Sequence, residues 1–489
     1  MAYIGLDIGT SGCKASVITR ESEILATAHA EYELKFPKKG YVELDPTEIY
    51  EKVKEVLKKL APMSSAVTSL SLSSFGEAFV LLDDTGNPLC NFITYADNRC
   101  TGIDKQLLEQ ISAEKFFEIT GVVPNQSFSL CKLLWLRKHQ PDLIKRTHSI
   151  FLANDYYNYL LSGNRGVDYG TASKTLLFDI HKKEWSEELL QEFDFPRQWF
   201  SPIQRVGALM GKVKAELAKE LGLHDNILIY LGCHDQCSAT LGGGVYSPCS
   251  AMIGEGSTES INVIVDQSIF EHSEELIKRK LCVEPFLTEN HYILPAAILT
   301  YGNSIRWYLN TIETEFQKNI AEDKAIFNLL EENSKQETDL IFLPNLSQVN
   351  IMEPDSKVPG GYLGITLETK RWELYRAIIQ GLNFETKINF DILRKIGLSI
   401  QTLSATGGIT NSSLFMQLKA DTLQMKIEIL DHSEAGITGL AMICAVAEGD
   451  YKDYSTAIKQ FVSIRKVFYP QKNYSKLFER YKEIRQKLK

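Results

Sequence analysis

The chain opens on apolar runs separated by a glycine-rich turn. Residues 3–8, 13–19 and 24–32 carry the alternating or continuous apolar patterns of strands, with "GTSG" between the first two. "DPTEIYEKVKEVLKKLA" follows, where Asp45 is placed as an N-cap, Pro46 takes the first helical position and Glu48 completes a capping box. Ile49, Val53, Val56, Leu57 and Leu60 recur at helical spacing, which predicts an amphipathic helix lying on a sheet. "AVTSLSLSS" and "AFVLLDD" predict two more strands, with "TGNP" as the turn after the second. Residues 130–162 and 186–222 read as mostly helical.

The opening arrangement recurs past the midpoint. "SAMIGEGSTESINVIV", residues 250–265, is again an apolar run, a glycine turn with hydroxyls and an acid, and a second apolar run. A repeat of such long period indicates a duplicated fold rather than a solenoid. Two glycine turns directed at one cleft suit the two ends of a polyphosphate. A third turn lies in "LSATGGITNSSLFMQLKADTLQ", residues 403–424: a strand, Gly407-Gly408, then a helix with Asn411, Ser412 and Ser413 near its start. Helix N-termini attract anions, although an ordinary strand-to-helix loop with a serine N-cap accounts for the same residues. Residues 433–451 predict a small-residue helix in which Gly436, Gly439 and Ala441 permit close packing.

Composition adds exclusions. At 489 residues the chain exceeds one ordinary core, so two or three domains are expected. Lys and Arg number 53 against 62 Asp and Glu, a net charge of −9, which argues against broad nucleic-acid or anionic-membrane binding. A local cationic nucleotide site remains compatible with it. No long apolar run is present, so neither a membrane-spanning helix nor a leader is expected. The nine cysteines are scattered and lack a C-x-x-C pair, as in the reduced thiols of a cytoplasmic protein. In "GCHDQC", Cys233, His234, Asp235 and Cys237 are all of zinc-ligating type, yet no second ligand pair follows at suitable spacing. Zinc is the minority reading.

The first turn itself admits two readings. A tight β-hairpin uses glycine where φ is positive. Asp7 at a strand end, followed by Gly9, Thr10, Ser11 and Gly12, also suits a phosphate cradle in which backbone N–H groups close on an anion and the acid holds a metal ion. The second copy at residues 250–265 favours the cradle.

Read in order, "GLDIGTSGCKASV", "GYVELDP", "FGEAFVLLDDTGNPLCNFITYADNR", "TGVVPNQSFSLCKLLWL", "NDYYNYLLSG", "GCHDQCSATLGGG" and "ATGGITNSSLFMQLKAD" resemble the blocks of the FGGY carbohydrate kinases (glycerol kinase, xylulokinase and relatives) over essentially the whole chain. The resemblance implies an α/β fold of two actin-like (ribonuclease H-like) domains with the active site in the interdomain cleft. Residues 1–245 would hold the sugar site, the catalytic aspartate and the first phosphate loop, and residues 246–489 the second phosphate loop and the adenosine site. The implied activity is ATP-dependent phosphorylation of a hydroxyl of a small sugar (ketose) or polyol, with ATP and Mg²⁺ as cofactors. A cytoplasmic enzyme with no nucleic-acid or membrane partner is expected, and a homodimer is left open.

By the same resemblance Asp235 matches the catalytic base, which takes the proton of the attacking sugar hydroxyl. Asp7 matches the acid near Mg²⁺ and the transferring phosphoryl, and Asp7 and Asp235 are the expected metal contacts. Gly9, Thr10, Ser11 and Lys14 would face the phosphates from one side, and Gly256, Ser257 and Thr258 from the other. Gly302 and Arg306 in "YGNSIRW" match the nucleotide-facing loop and helix, and Gly407, Gly408 and Ser412 the adenosine site.

The substrate positions depart from the family. Glycerol kinase carries Arg-Glu, and xylulokinase Met-His, where this chain has Gly76-Glu77. Glu77 is expected to accept hydrogen bonds from two neighbouring hydroxyls, and Gly76 to vacate space for a longer or differently oriented polyol. Gln236 agrees with glycerol kinase, Ser127 replaces a tyrosine, and Asp97 in "ADNR" agrees with sugar kinases that use an acid there. An acidic sugar would ask for a nearby arginine, for which Arg99 is the candidate. In "GEGSTE", Glu259 is an unexpected charge beside phosphates and either faces a metal or points away. "SQVNIMEP" lacks the family's usual Gly-Glu-Arg, and "SEAGITG" follows its pattern only loosely. The competing reading is a non-catalytic, actin-like nucleotide-binding protein, which has no need of Asp235 beside a polyol pocket. An ATPase that has lost its sugar specificity is a third, kept open by Gly76 and Ser127.

Overall fold

The computed structural model describes residues 1–313, 328–347, 350–353, 356–431 and 434–488. Ser433 of "SEAGITG" and residues 348, 349 and 354 of "SQVNIMEP" lie outside the described residues. The chain forms two units. The first comprises Met1–Tyr246, Asp266–Ile293 and Glu434–Val462, and the second Ser247–Val265, Leu294–Ser433 and Ser463–Lys489. The first crossing falls one residue from the expected boundary at 245. The later half is not one continuous domain, however, because two of its segments return to the first unit.

In the first unit, Ala2–Ile8 and Gly12–Thr19 form an antiparallel hairpin, with Asp7 opposite Lys14 and the Gly9 N–H donating to the Gly12 carbonyl at 2.9 Å. The full strand order is Leu209–Lys212, Leu228–Tyr230, Val67–Ser74, Ala2–Ile8, Gly12–Thr19, Ile24–Glu31. The three inner pairings from Leu228–Tyr230 to Gly12–Thr19 run parallel, parallel and antiparallel. In the second unit the hairpin is Ser250–Glu255 with Glu259–Val265, flanked by Tyr292–Ile298 on one side and Thr402–Thr406, Ile427–Leu430 and Ile464–Phe468 on the other. Its pairings repeat those of the first sheet: antiparallel hairpin, two parallel neighbours, antiparallel edge. The duplication inferred from two glycine turns extends through the sheets.

Local signals explain most elements. Asp45 caps the helix Pro46–Leu60 by accepting from the Thr47 and Glu48 N–H groups. Glu48 does not complete the box; its carboxylate faces Lys35 at 3.6 Å. The helix buries Ile49, Val53, Val56, Leu57 and Leu60 against the strands Gly12–Thr19 and Ile24–Glu31. Residues 186–222 depart from the helical expectation. They hold the short helices Glu187–Glu192 and Ala215–Leu221, with the sheet-edge strand Leu209–Lys212 between them. Gly207 and Gly211 there take positive φ, 81° and 105°, which no helix continues. Within 130–162 the strand Ser149–Leu152 pairs with Phe79–Leu82, so that pair forms a small separate ladder.

The helix Ala435–Ala447 shows why the late segment returns. It packs on the strands Ala2–Ile8 and Val67–Ser74 and on the helix Asp235–Gly242. A Cβ at Gly439 would lie 2.0 Å from the Ser238 carbonyl oxygen, and one at Gly242 1.7 Å from that of Ala435. Only glycine admits this approach, so its small residues serve packing. No helix among the described residues is long and apolar enough to cross a membrane.

Candidate active site

In the first unit, several expected site residues converge where strands of the sheet end. Asp7 lies one residue before the end of the strand Ala2–Ile8, and Ser73 Oγ, on the neighbouring strand, donates to its Oδ1 at 2.6 Å. Burial pushes the Asp7 carboxyl above its ordinary range, against the Ser73 hydrogen bond and Lys14, and Glu434 adds to the rise. Lys14 pairs with Glu434 at 2.5 Å. Of the turn residues, Ser11 is exposed, Gly9 and Thr10 are half-buried, and Tyr32 donates its hydroxyl to the Gly9 carbonyl at 2.5 Å. The opening turn is a tight hairpin whose strand end carries an acid.

Asp235 begins the helix Asp235–Gly242. The buried His234 places Nε2 3.1 Å from Asp235 Oδ1, while a third of the Asp235 side chain, 33%, stays open. Burial, then Lys174, holds His234 well below its ordinary pKa, so the ring stands beside the carboxylate as a neutral neighbour. Burial, then the charges of Asp7 and Glu77, pushes the Asp235 carboxyl up to about 7, against Lys174 and the Gln236 N–H. Gln236 follows it, half-buried, its carbonyl accepting from Thr240 Oγ1 at 2.6 Å.

Glu77 is neither a surface acid nor unpaired. Its backbone sits at φ 58°, a left-handed conformation costly for a non-glycine residue and concentrated at functional sites. Lys132 Nζ at 2.6 Å and Ser129 Oγ at 3.2 Å hold its carbonyl. Lys174 Nζ stands 3.2 Å from Glu77 Oε1 and 2.6 Å from Glu284 Oε1. Neither lysine was found from sequence, because each comes from a segment far along the chain, Lys132 within a block read for Ser127 and Lys174 outside every block.

Two substrate expectations are corrected. A Cβ on Gly76 would meet His234 Nε2 at 2.8 Å and Lys174 Cγ at 3.1 Å, so the space beside Gly76 is filled, not vacated. Gly76→Arg is therefore expected to destabilise by about 1–3 kcal/mol or more through overpacking, without favouring shorter polyols; the unfolding midpoint and the substrate profile check this. Asp97 is fully engaged: Val42 N–H donates to Oδ2 at 2.6 Å, and Arg99 donates through its backbone N–H and Nε to Oδ1, both at 2.9 Å, and Nη2 to Oδ2 at 2.8 Å. Arg99 also binds Glu43 at 2.6 Å and lies 4.0 Å over the Tyr41 ring. Both are structural in this geometry, which leaves Asp97 no open acceptor and Arg99 no open fork. Ser127 is half-buried and turns its hydroxyl onto Asn125 Oδ1 at 2.5 Å.

In the second unit, Gly256, Ser257, Gly302, Arg306, Gly408 and Ser412 line one recess of about 390 Å³. Thr258 closes the turn by accepting the Gly256 N–H at 3.0 Å. Gly407, at φ 105°, runs so close to the first strand that a Cβ would lie 2.3 Å from the Glu255 carbonyl oxygen. Ser412 caps the helix Ser413–Leu423 through the Phe415 N–H at 3.0 Å. Ile305, Tyr375, Ile409 and Phe415 add apolar walls that no motif announced. Glu259 points away from the recess: its carboxylate meets Lys419 and accepts from Thr386 Oγ1 at 2.8 Å, with no exposed side-chain surface.

Among the described residues, no group of three or more His, Cys, Asp or Glu side chains is placed to enclose a metal ion. All nine cysteines are free thiols.

The chain resembles known proteins over nearly its whole length. The model of the FGGY family of carbohydrate kinases, N-terminal domain, matches residues 2–242, and that of its C-terminal domain residues 268–448. A xylulose kinase of Staphylococcus epidermidis is 26% identical over 485 residues, covering 98% of this chain and 95% of the relative. A glycerol kinase of Trichodesmium erythraeum is 27% identical over 495 residues, with 97% and 95% covered. The ligand-bound xylulose kinase structure from Lactobacillus acidophilus superposes with a TM-score of 0.88 at 25% identity, covering 100% and 98% of the two chains. Plasmodium falciparum glycerol kinase with ADP shares the fold, with a TM-score of 0.88 at 21% identity and 99% and 97% covered. The protein is a carbohydrate kinase of the two-domain, actin-like class. It belongs to the FGGY family.

Proposed function

We propose that this kinase transfers the γ-phosphoryl of ATP to a hydroxyl of a small neutral ketose or polyol, with Asp235 as general base. The observation that carries this reading is the Asp235 carboxylate: it is one-third open, lies 3.1 Å from His234 Nε2, and is raised by burial and then by neighbouring acids to about 7. A base poised near neutral pH is matched to accepting a hydroxyl proton as the oxygen attacks phosphorus. Glu77 would accept from sugar hydroxyls, Gln236 and Ser127 would offer further polar contacts, and the glycine-lined recess of the second unit would take the nucleotide.

ATP use follows from membership among the kinases. The residues also fit Mg²⁺. In phosphoryl transfer Mg²⁺ is commonly held by one or two carboxylates together with phosphate oxygens and water, not by a protein cage. Asp7 and Asp235 supply that donor set, in surroundings where Glu434 adds negative charge beside Lys14. When bound there, the ion would neutralise charge on the transferring phosphoryl group.

Neutral substrates are favoured because the cations around Glu77 are committed. Lys174 serves two carboxylates, Arg99 serves Asp97 and Glu43, and Lys132 is fully buried against the Glu77 carbonyl. The non-catalytic nucleotide-binding alternative accounts for the recess but gives Asp235 no task. A screen of pentuloses, hexuloses, C3–C6 polyols and aldonic acids, by thermal shift with ADP and then by ADP release from ATP, tests the reading. One neutral compound is expected to raise ATP turnover by at least about 10²-fold. Turnover independent of every compound, or an aldonic acid as the best acceptor, would overturn it.

A further inference from the structure

Lys419 lies with no exposed surface behind the recess. Its ammonium reaches the carboxylates of both Glu255 and Glu259. These two residues stand directly opposite each other in the hairpin that carries Gly256, Ser257 and Thr258. The same ammonium is 4.7 Å from the ring centre of Tyr301, the first residue of the helix Tyr301–Thr311, which bears Gly302 and Arg306. Its own helix, Ser413–Leu423, starts at Ser412, just after the Gly407-Gly408 turn. One buried cation therefore touches each of the three segments whose glycines line the recess.

Those segments meet backbone to backbone. A Cβ on Gly302 would lie 2.3 Å from the Gly256 carbonyl oxygen, and one on Gly407 2.3 Å from that of Glu255. A shift of the hairpin ends would pass to all three without slack. Like charges directly opposite on paired strands repel, and carboxylates buried without a cation must take up a proton or move apart. Burial raises Glu255, Lys419 lowers it and Glu259 raises it again, so the cation works against both other influences. The second oxygen of Glu255 is buried with no hydrogen-bond partner, which leaves Lys419 as its carboxylate's sole partner among the described residues.

We propose that Lys419 is a positioning residue for the nucleotide: by drawing Glu255 and Glu259 together it fixes the Gly256–Thr258 turn against the two neighbouring glycine segments, and so shapes the recess for a nucleoside di- or triphosphate. The inference rests on reading that recess as the nucleotide site.

The test is calorimetric binding of ADP to the full chain, together with steady-state kinetics, in three variants. Gly408→Val checks the recess, since a side chain there meets nothing within 4 Å and would enter open space. Lys419→Met removes the cation. The combined variant Glu255→Gln, Glu259→Gln, Lys419→Met removes all three buried charges, a replacement that is often neutral or stabilising. Gly408→Val and Lys419→Met are each expected to weaken ADP by at least about tenfold, through a misplaced recess rather than a lost contact in the second case. For Lys419→Met the ATP KM rises while the sugar KM holds. The combined variant regains the wild-type unfolding midpoint but keeps the weakened ADP affinity. Recovery of both in the combined variant would make Lys419 only a counterion and overturn the proposal, as would wild-type ADP affinity in Lys419→Met beside a weakened Gly408→Val. Unchanged ADP affinity in Gly408→Val as well would remove the nucleotide reading and the inference with it. Should Lys419→Met fail to fold, the combined variant decides alone.

Discussion

Asp235→Asn is expected to lower kcat by about 10²–10⁴-fold, the usual contribution of a general base, while ADP binding and the unfolding midpoint stay near wild type. The substitution keeps the shape and removes the charge. The pH dependence sharpens the expectation. The base must be deprotonated to accept the hydroxyl proton, and its carboxyl is pushed up to about 7. kcat/KM for the sugar should therefore fall about tenfold per pH unit below that point and level off above it. Glu77 is one of the charges raising Asp235, so Glu77→Gln should move the acid limb to lower pH even as it weakens sugar binding. Measured pH–rate profiles of the wild type and Glu77→Gln check both statements. A near-normal kcat in Asp235→Asn, or a flat profile from about pH 5 to 8, would remove Asp235 from the proton transfer.

Lys174→Met is expected to cost about 3–5 kcal/mol of stability, the range found when one member of a buried ion pair is removed. Lys174 is almost entirely enclosed, with side-chain exposures of 8%, 17% and 5% for Lys174, Glu77 and Glu284. Burial works against the ammonium, but Glu284 and Glu77 more than offset it and keep the group charged. Deleting it strands the buried Glu284 and the largely enclosed Glu77. Adding Glu284→Gln should restore part of the stability, since only Glu77 then lacks a partner. Sugar kcat/KM should remain low in that double variant, because Glu77 has lost the contact that aims it. Denaturant unfolding and sugar kinetics on the two variants separate these effects. A Lys174→Met protein with the wild-type unfolding midpoint would show that the cluster contributes nothing to stability.

Much of the fold was legible because its signals are local. The strand of Ala2–Ile8, the Asp45 cap and the helix Pro46–Leu60 follow from side-chain period and turn chemistry within a few residues. The glycine turns at residues 9–12, 256 and 407–408 are legible for the same reason, and so is Asp235 in its short motif. The segment 186–222 was less so, because pieces of four to seven residues between positive-φ glycines carry too few positions to show a period.

What each charge is committed to was decided by the tertiary structure. Sequence presents Glu77, Asp97 and Glu259 alike, as acids in glycine-rich or polar surroundings. The fold gives Asp97 to Arg99 and the Val42 N–H, Glu259 to Lys419 and Thr386, and Glu77 to Lys174. It likewise fills the space beside Gly76 with His234 and Lys174. The energy of a buried carboxylate depends on the cation or N–H within about 4 Å of it. Apart from Arg99, the partners here come from segments far away along the chain, so no spacing rule records them. Period and turn residues determined the elements of this kinase; contacts between distant segments determined which of its acids remain available to a substrate.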